Sequence, residues 1–145
     1  MRALIQRVRH ASVSVNKLCI GEINQGLLVF LAIQKGDNHS QVEKLLDKVL
    51  AYRVFADEQG KMNLSLKDIQ GGLLTVSQFT LAADTAKGLR PGFSLAATPE
   101  DGKRLYDYWL CQAEKKHCHV AAGEFGADMQ VSLLNDGPVT FLLEC

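Results

Sequence analysis

Ser77, Gln78 and Thr80 fall within four positions at the end of an apolar run, in Ser77-Gln78-Phe79-Thr80-Leu81. Two hydroxyls and a carboxamide at the point where a core strand meets an opening can position a water molecule or an acyl group. A threonine hydroxyl becomes a nucleophile only with a base beside it. None is fixed nearby in sequence, and His10, His39 and His117 are the rings that folding can bring to it. A polar strand end with no chemistry explains the same residues. The second segment is Asn135-Asp136-Gly137-Pro138-Val139-Thr140. It is rich in turn formers, and a hairpin turn accounts for it. A Gly-Pro bond can also be cis, a state that roughly 5–6% of X-Pro bonds adopt. A cis bond aims two neighbouring carbonyl oxygens in nearly the same direction. That is a rigid, side-chain-free way to contact an amino group or to exclude a bulky substituent.

Other clusters are weaker. Cys19, Cys111, Cys118 and Cys145 are scattered, without Cys-x-x-Cys spacing. His117-Cys118-His119 would place both histidines on one face of a strand, but no further pair of ligands stands at metal-site spacing, and a structural zinc site takes four. A solvated polar face is the expectation there, with no metal. The 145 residues carry 16 Lys and Arg against 16 Asp and Glu. A neutral chain is not built to wrap a long stretch of nucleic-acid phosphate, although a brief grip on one RNA end is compatible with it. Arg2, Arg7 and Arg9 are followed by no apolar stretch of signal-peptide length. The longest apolar run, Leu27 to Ile33, is too short to cross a bilayer. Free thiols and no export signal point to the cytoplasm.

The elements that must hold these residues read as one domain over 1–145, large enough to bury a core. Val13 and Val15 alternate with Ser12 and Ser14 as a half-buried strand, with Cys19 to Ile23 as its hairpin partner across Asn16-Lys17. Leu27 to Ile33 has no polar face, which predicts a strand covered on both sides. Ser40 with Glu43 predicts a capped helix whose buried face carries Val42, Leu45, Leu46 and Val49. Gly71-Gly72 introduces a core strand from Leu73 to Phe79. The stretch from Ala82 to Ala97 has no periodicity and reads as a binding loop. Thr98-Pro99-Glu100-Asp101 starts a second helix, with Leu105, Trp109 and Ala113 as its buried stripe. Met129, Val131 and Leu133 alternate with polar neighbours, so the chain closes as strand, turn and a last strand, Val139 to Leu143. The order predicts an α+β fold: a largely antiparallel, barrel-like sheet with two main helices.

In wording, order and chain length, the two segments resemble the paired signatures of the D-aminoacyl-tRNA deacylases, enzymes that hydrolyse the ester joining a D-amino acid to the 3′ end of tRNA. The resemblance runs along almost the whole chain. It implies a homodimer in which one subunit inserts its Gly-Pro turn into the pocket of the other, with no metal or organic cofactor. Carried over, Gly137 and Pro138 form the cis-proline element whose carbonyls reject L-amino acids. Ser77, Gln78, Phe79 and Thr80 line the pocket around the ester and the terminal adenosine. Asn135, Thr140, Arg90 and Met129 complete the substrate contacts, and main-chain amides beside Phe79 hold the oxyanion. The family gives much of the proton chemistry to the RNA's own 2′-hydroxyl, which fits a threonine without a base. Phe79, in place of the alanine of chirally different relatives, implies D-specificity. Exclusion as the selective principle implies that glycine esters are also accepted.

Met62-Asn63-Leu64-Ser65 and Phe125-Gly126-Ala127-x-Met129 also resemble the family and read as packing. Gly88-Leu89-Arg90-Pro91-Gly92-Phe93 resembles its Arg-Pro-x-Phe loop but departs from it at Leu89 and Gly92. Lys87, Arg90, Lys115 and Lys116 are the cations available for acceptor-stem phosphates. Two other readings stay open: a general threonine-dependent esterase, and a non-catalytic module that binds RNA ends.

Overall fold

The computed structural model describes residues 1–86 and 88–145; Lys87 lies outside them. The chain is built around strand β1 (Arg2–Val15), which pairs along its length with β8 (Gln130–Glu144). Its other edge takes β3 (Gly26–Ala32) over residues 2–8 and β2 (Leu18–Ile23) over residues 11–15, all antiparallel. Beyond β3 come β6 (Gly72–Ser77) and β7 (Val120–Ala122), both parallel additions. The sheet is therefore mixed, and it curls until β2 approaches β7. A Cβ at Gly21 would stand 2.9 Å from the Ala122 carbonyl oxygen, so the barrel is nearly closed there. The β1–β2 hairpin turns on Asn16 and Lys17, both with positive φ, as a two-residue primed turn requires.

The apolar run of β3 is covered on both faces because its residues alternate between two cores. Leu27, Val29 and Leu31 pack under α1 (His39–Ala51) and α3 (Pro99–Lys116), with Ala3, Ile5 and Leu73 from the neighbouring strands. Leu28 and Phe30 face the barrel interior with Val8, Val13, Leu74 and Val76. Each buried aliphatic side chain contributes about 1.5–3 kcal/mol relative to exposure. A short hairpin of β4 (Phe55–Ala56) and β5 (Met62–Leu64) and the single turn α2 (Leu66–Ile69) connect α1 to β6. β6 can start beside β3 only because Gly26 lacks a side chain: its Cβ would lie 1.9 Å from the Gly72 carbonyl oxygen.

Several expectations are corrected. The α1 cap is Asn38, with Gln41 completing the box, so the helix begins before Ser40. Asn38 accepts from the Ser40 amide at 2.9 Å, the role a capping side chain fills. The core strand ends at Ser77, and Phe79–Ala82 form a 3-10 turn. The closing hairpin does not exist. β8 runs without reversal from Gln130 to Glu144, and its ladder with β1 slips between Asn135 and Thr140, so the intervening residues bulge outward. Turn-forming residues here make a bulge because strand partners wait on both sides of them. His117 is not on a solvated strand face. It is the buried residue that ends α3, its Nε2 donating to the Gly71 carbonyl at 2.6 Å, whereas His119 is exposed.

The α3 stripe contains Leu105, Trp109 and Ala113 as predicted, and Tyr106 beside them. Trp109 Nε1 donates to Thr75 Oγ1 at 3.1 Å. The Tyr106 hydroxyl reaches the Thr75 and Gly123 carbonyls, each at 3.0 Å, and burial raises its pKa, keeping it a donor. These bonds tie α3 to β6 directly beneath the strand end that carries Ser77.

Candidate active site

A cleft of about 440 Å³ opens where β6 runs out. Its walls come from Leu31 and Ile33, from Val76 to Phe79, from Ala97 to Pro99 with Gly102, and from Phe125 to Ala127 with Met129 and Val131. It is mostly apolar, with Ser77, Gln78 and Thr98 as its polar side chains, the usual composition of a small-ligand site. The Gln78 amide continues the sheet by donating to the Leu31 carbonyl at 2.8 Å. The backbone then leaves the strand and closes into the 3-10 turn, with Leu81 N on Gln78 O at 3.2 Å and Ala83 N on Thr80 O at 3.1 Å. Arg2 Nη1 donates to the Leu81 carbonyl at 2.9 Å and anchors that turn to β1. At the start of such a turn the amides of Phe79 and Thr80 have no acceptor within it. Two adjacent free N–H groups beside an apolar cleft suit a developing oxyanion.

Thr80 is exposed, and its Oγ1 accepts from Gln78 Nε2 at 2.6 Å. Among the described residues no histidine or carboxylate hydrogen-bonds to it. His117 is held at Gly71, at the opposite end of β6, about 20 Å away at strand rise. His39 packs against Tyr108, ring centroids 4.1 Å apart and planes inclined by 31°. His10 is exposed on β1.

The Gly137-Pro138 bond is cis and sits at the crest of the β8 bulge, both residues exposed. Arg7 braces it from below. Its Nε donates to the Asp136 carbonyl at 3.1 Å, and Nη1 to the Val54 carbonyl at 2.6 Å. The Asp136 carboxylate is held by Arg7 at 3.3 Å and Arg9 at 3.0 Å. At the foot of the bulge Thr140 Oγ1 accepts from Asn135 Nδ2 at 3.0 Å and from Gln6 Nε2 at 3.3 Å. Asn135 and Thr140 therefore tie the two ends of the bulge together and do not line the cleft.

Nor do Gly137 and Pro138. The 3-10 turn is anchored at Arg2 and the bulge at Arg7, five residues apart on one strand, or about 17 Å. The structure brings Ser77, Gln78, Phe79 and Met129 into one cleft and leaves the Gly-Pro crest outside it. Arg90 is exposed on the loop above. Lys116 pairs with Asp47 at 2.7 Å near the far end of α3, about 20 Å along the helix from Gly102.

The sequence reading assigned Phe125, Gly126 and Ala127 to packing, and they are cleft wall. Thr98 and Pro99, expected only as a helix start, also line it, as does Gly102, which the sequence did not single out. The adjacent small residues at 126 and 127, beside one aromatic, were the available signal. Met62 to Ser65 are structural as expected, with Asn63 Nδ2 donating to Asp57 at 2.7 Å and Ser65 capping α2.

Comparison with known proteins identifies the family. The family described as D-Tyr-tRNA(Tyr) deacylase matches residues 4–144. A D-aminoacyl-tRNA deacylase of Stutzerimonas stutzeri (strain A1501) is 63% identical over 144 residues, covering 99% of each chain. One of Pseudoalteromonas translucida (strain TAC 125) is 61% identical over 143 residues, again covering 99% of each. Among solved structures, a c-Myc DNA Unwinding Element Binding Protein superposes with a TM-score of 0.96 at 42% identity, over 100% of this chain and 99% of that one. A probable eukaryotic D-amino acid tRNA deacylase shares the fold, with a TM-score of 0.80 at 16% identity over 98% and 97% of the two chains. A family match spanning the cleft and the bulge, with full-length relatives above 60% identity, places the chain in the D-Tyr-tRNA(Tyr) deacylase family.

Proposed function

We propose that this protein hydrolyses the ester bond of D-aminoacyl-tRNA in the cytoplasm, releasing free D-amino acid and tRNA, and that it works as a homodimer. The cleft takes the terminal adenosine, with the ester carbonyl at the Phe79 and Thr80 amides. Water adds to the carbonyl carbon, the amides hold the oxyanion, and the bond to the ribose oxygen breaks as that oxygen takes a proton. The RNA's neighbouring 2′-hydroxyl relays the proton, because Thr80 has no base among the described residues. The Gly137-Pro138 crest of the second subunit enters the cleft and leaves no room for an L side chain, so L-aminoacyl-tRNA is rejected. Glycyl esters, with nothing to exclude, are accepted.

The observation that carries this reading is the two-part site. An open cleft ends in free amides, and an exposed, arginine-braced crest stands outside that cleft, its anchor Arg7 five residues along β1 from Arg2, which anchors the 3-10 turn. A second copy is the economical way to join them. Exposed Leu134, Phe141 and Leu142 on β8 also favour an apolar contact along that strand. No helix among the described residues is long and apolar enough to cross a membrane.

A direct test compares D-tyrosyl-tRNA with the methyl ester of D-tyrosine. Cleavage of the tRNA ester at least about a hundredfold faster, in kcat/KM, is expected because remote binding energy is used in positioning. Equal rates would mark a general esterase, and tight tRNA binding without release of amino acid would mark a binding module.

A further inference from the structure

Phe79 and Phe93 form an aromatic pair at the mouth of the cleft, ring centroids 5.0 Å apart and planes inclined by 55°. Aromatic rings normally contribute by burial, yet Phe79 is 59% exposed and Phe93 41% exposed. Phe79 lines the cleft and Phe93 does not, so the pair leads outward from it. Two cations stand near Phe93 along the chain or across a main-chain bond. Arg90 lies three residues before Phe93, and Lys35 donates its main-chain N–H to the Leu95 carbonyl at 3.0 Å, two residues after it. Both are exposed, and neither has an ion-pair partner among the described residues, unlike Lys103, Arg104 and Lys116.

We propose that Phe79, Phe93, Arg90 and Lys35 form a second subsite, which holds the unpaired nucleotide immediately 5′ of the terminal adenosine. This rests on the reading of the cleft as the aminoacyl-adenosine site. Exposed aromatic rings interleaved with free cations are the chemistry by which proteins hold single-stranded RNA, the base stacking and the phosphate meeting the charge. A nucleotide bound in the cleft must send its 5′-phosphate out through the mouth. The pair is the aromatic surface it meets there. A neutral protein gains RNA affinity this way without a long basic face.

The test measures kcat/KM for D-tyrosyl-tRNA and for D-tyrosyl-adenosine, which ends where the proposed subsite begins. Phe93→Leu keeps apolar contact with Phe79 and removes one stacking face; Phe93→Tyr keeps the face. Phe93→Leu is expected to lower the value for the tRNA by about tenfold and to leave that for the adenosine ester unchanged, with Phe93→Tyr near wild type on both. No loss on the tRNA would overturn the proposal. Equal loss on both substrates would also overturn it, and if monomers appeared as well, a second copy of the chain would be what covers the pair. Wild-type protein inert on both esters would overturn the reading of the cleft, and the subsite with it.

Discussion

Gly137→Ala is expected to lower kcat/KM for D-tyrosyl-tRNA by about a hundredfold, the order of loss that follows from a displacement near 1 Å at a reacting centre. Gly137 has φ +120, a backbone conformation that L side chains rarely adopt. A Cβ there would lie 2.6 Å from Arg7 Nη2 and 2.9 Å from Val139 Cγ2. Arg7 has little freedom to retreat, because it also holds the Val54 and Asp136 carbonyls. The crest must shift instead. The cost in stability is about 1–3 kcal/mol, and the fold survives because the bulged residues make no ladder bonds with β1. Thermal melting should therefore show a folded variant, so that its loss of activity is not a loss of fold. Mixing it with Phe79→Pro, which deletes one main-chain donor of the cleft, should restore activity through mixed dimers that hold one intact site. No recovery would place both parts in one subunit, and full activity of Gly137→Ala would remove the crest from the reaction.

The second large effect concerns the RNA. D-Tyrosyl-tRNA ending in 2′-deoxyadenosine is expected to be cleaved at least about a hundredfold more slowly, since acid–base catalysis is worth about 10²–10⁴ in rate. Thr80→Ala should retain most activity, within about threefold, because its hydroxyl loses only the bond from Gln78 Nε2 at 2.6 Å. Single-turnover rates separate chemistry from binding. Loss of nearly all activity in Thr80→Ala, with the deoxy substrate still turned over, would make Thr80 the nucleophile and reverse the assignment.

The fold was legible wherever one residue pattern admits one solution. The wholly apolar Leu27–Ile33 had to be covered on both faces, and the two cores divide it between them. Thr98-Pro99 fixed the α3 start to the residue. What failed depended on partners distant in sequence. Asn135–Pro138 has the composition of a turn, yet β1 holds the chain on both sides of it, and a bulge results. The capping side chain of α1 is Asn38 because Asn, like Ser, fills that role, and local sequence does not rank Asn38 against Ser40 two positions on. His117 looked polar and solvated, but the carbonyl that buries it belongs to Gly71, 46 positions away. At the site, strand-end Ser77 and Gln78 were legible from the break in hydrophobicity. The wall at Phe125–Ala127 was not, because packing and lining residues are the same types.

The most direct measurement compares release of tyrosine from D-tyrosyl-tRNA and L-tyrosyl-tRNA by the purified protein, with a chelator present. Rapid release from the D form alone, undiminished by the chelator, is the predicted result. Release from both forms at equal rates would contradict selection by the Gly137-Pro138 crest, and release from neither would contradict the deacylase reading itself.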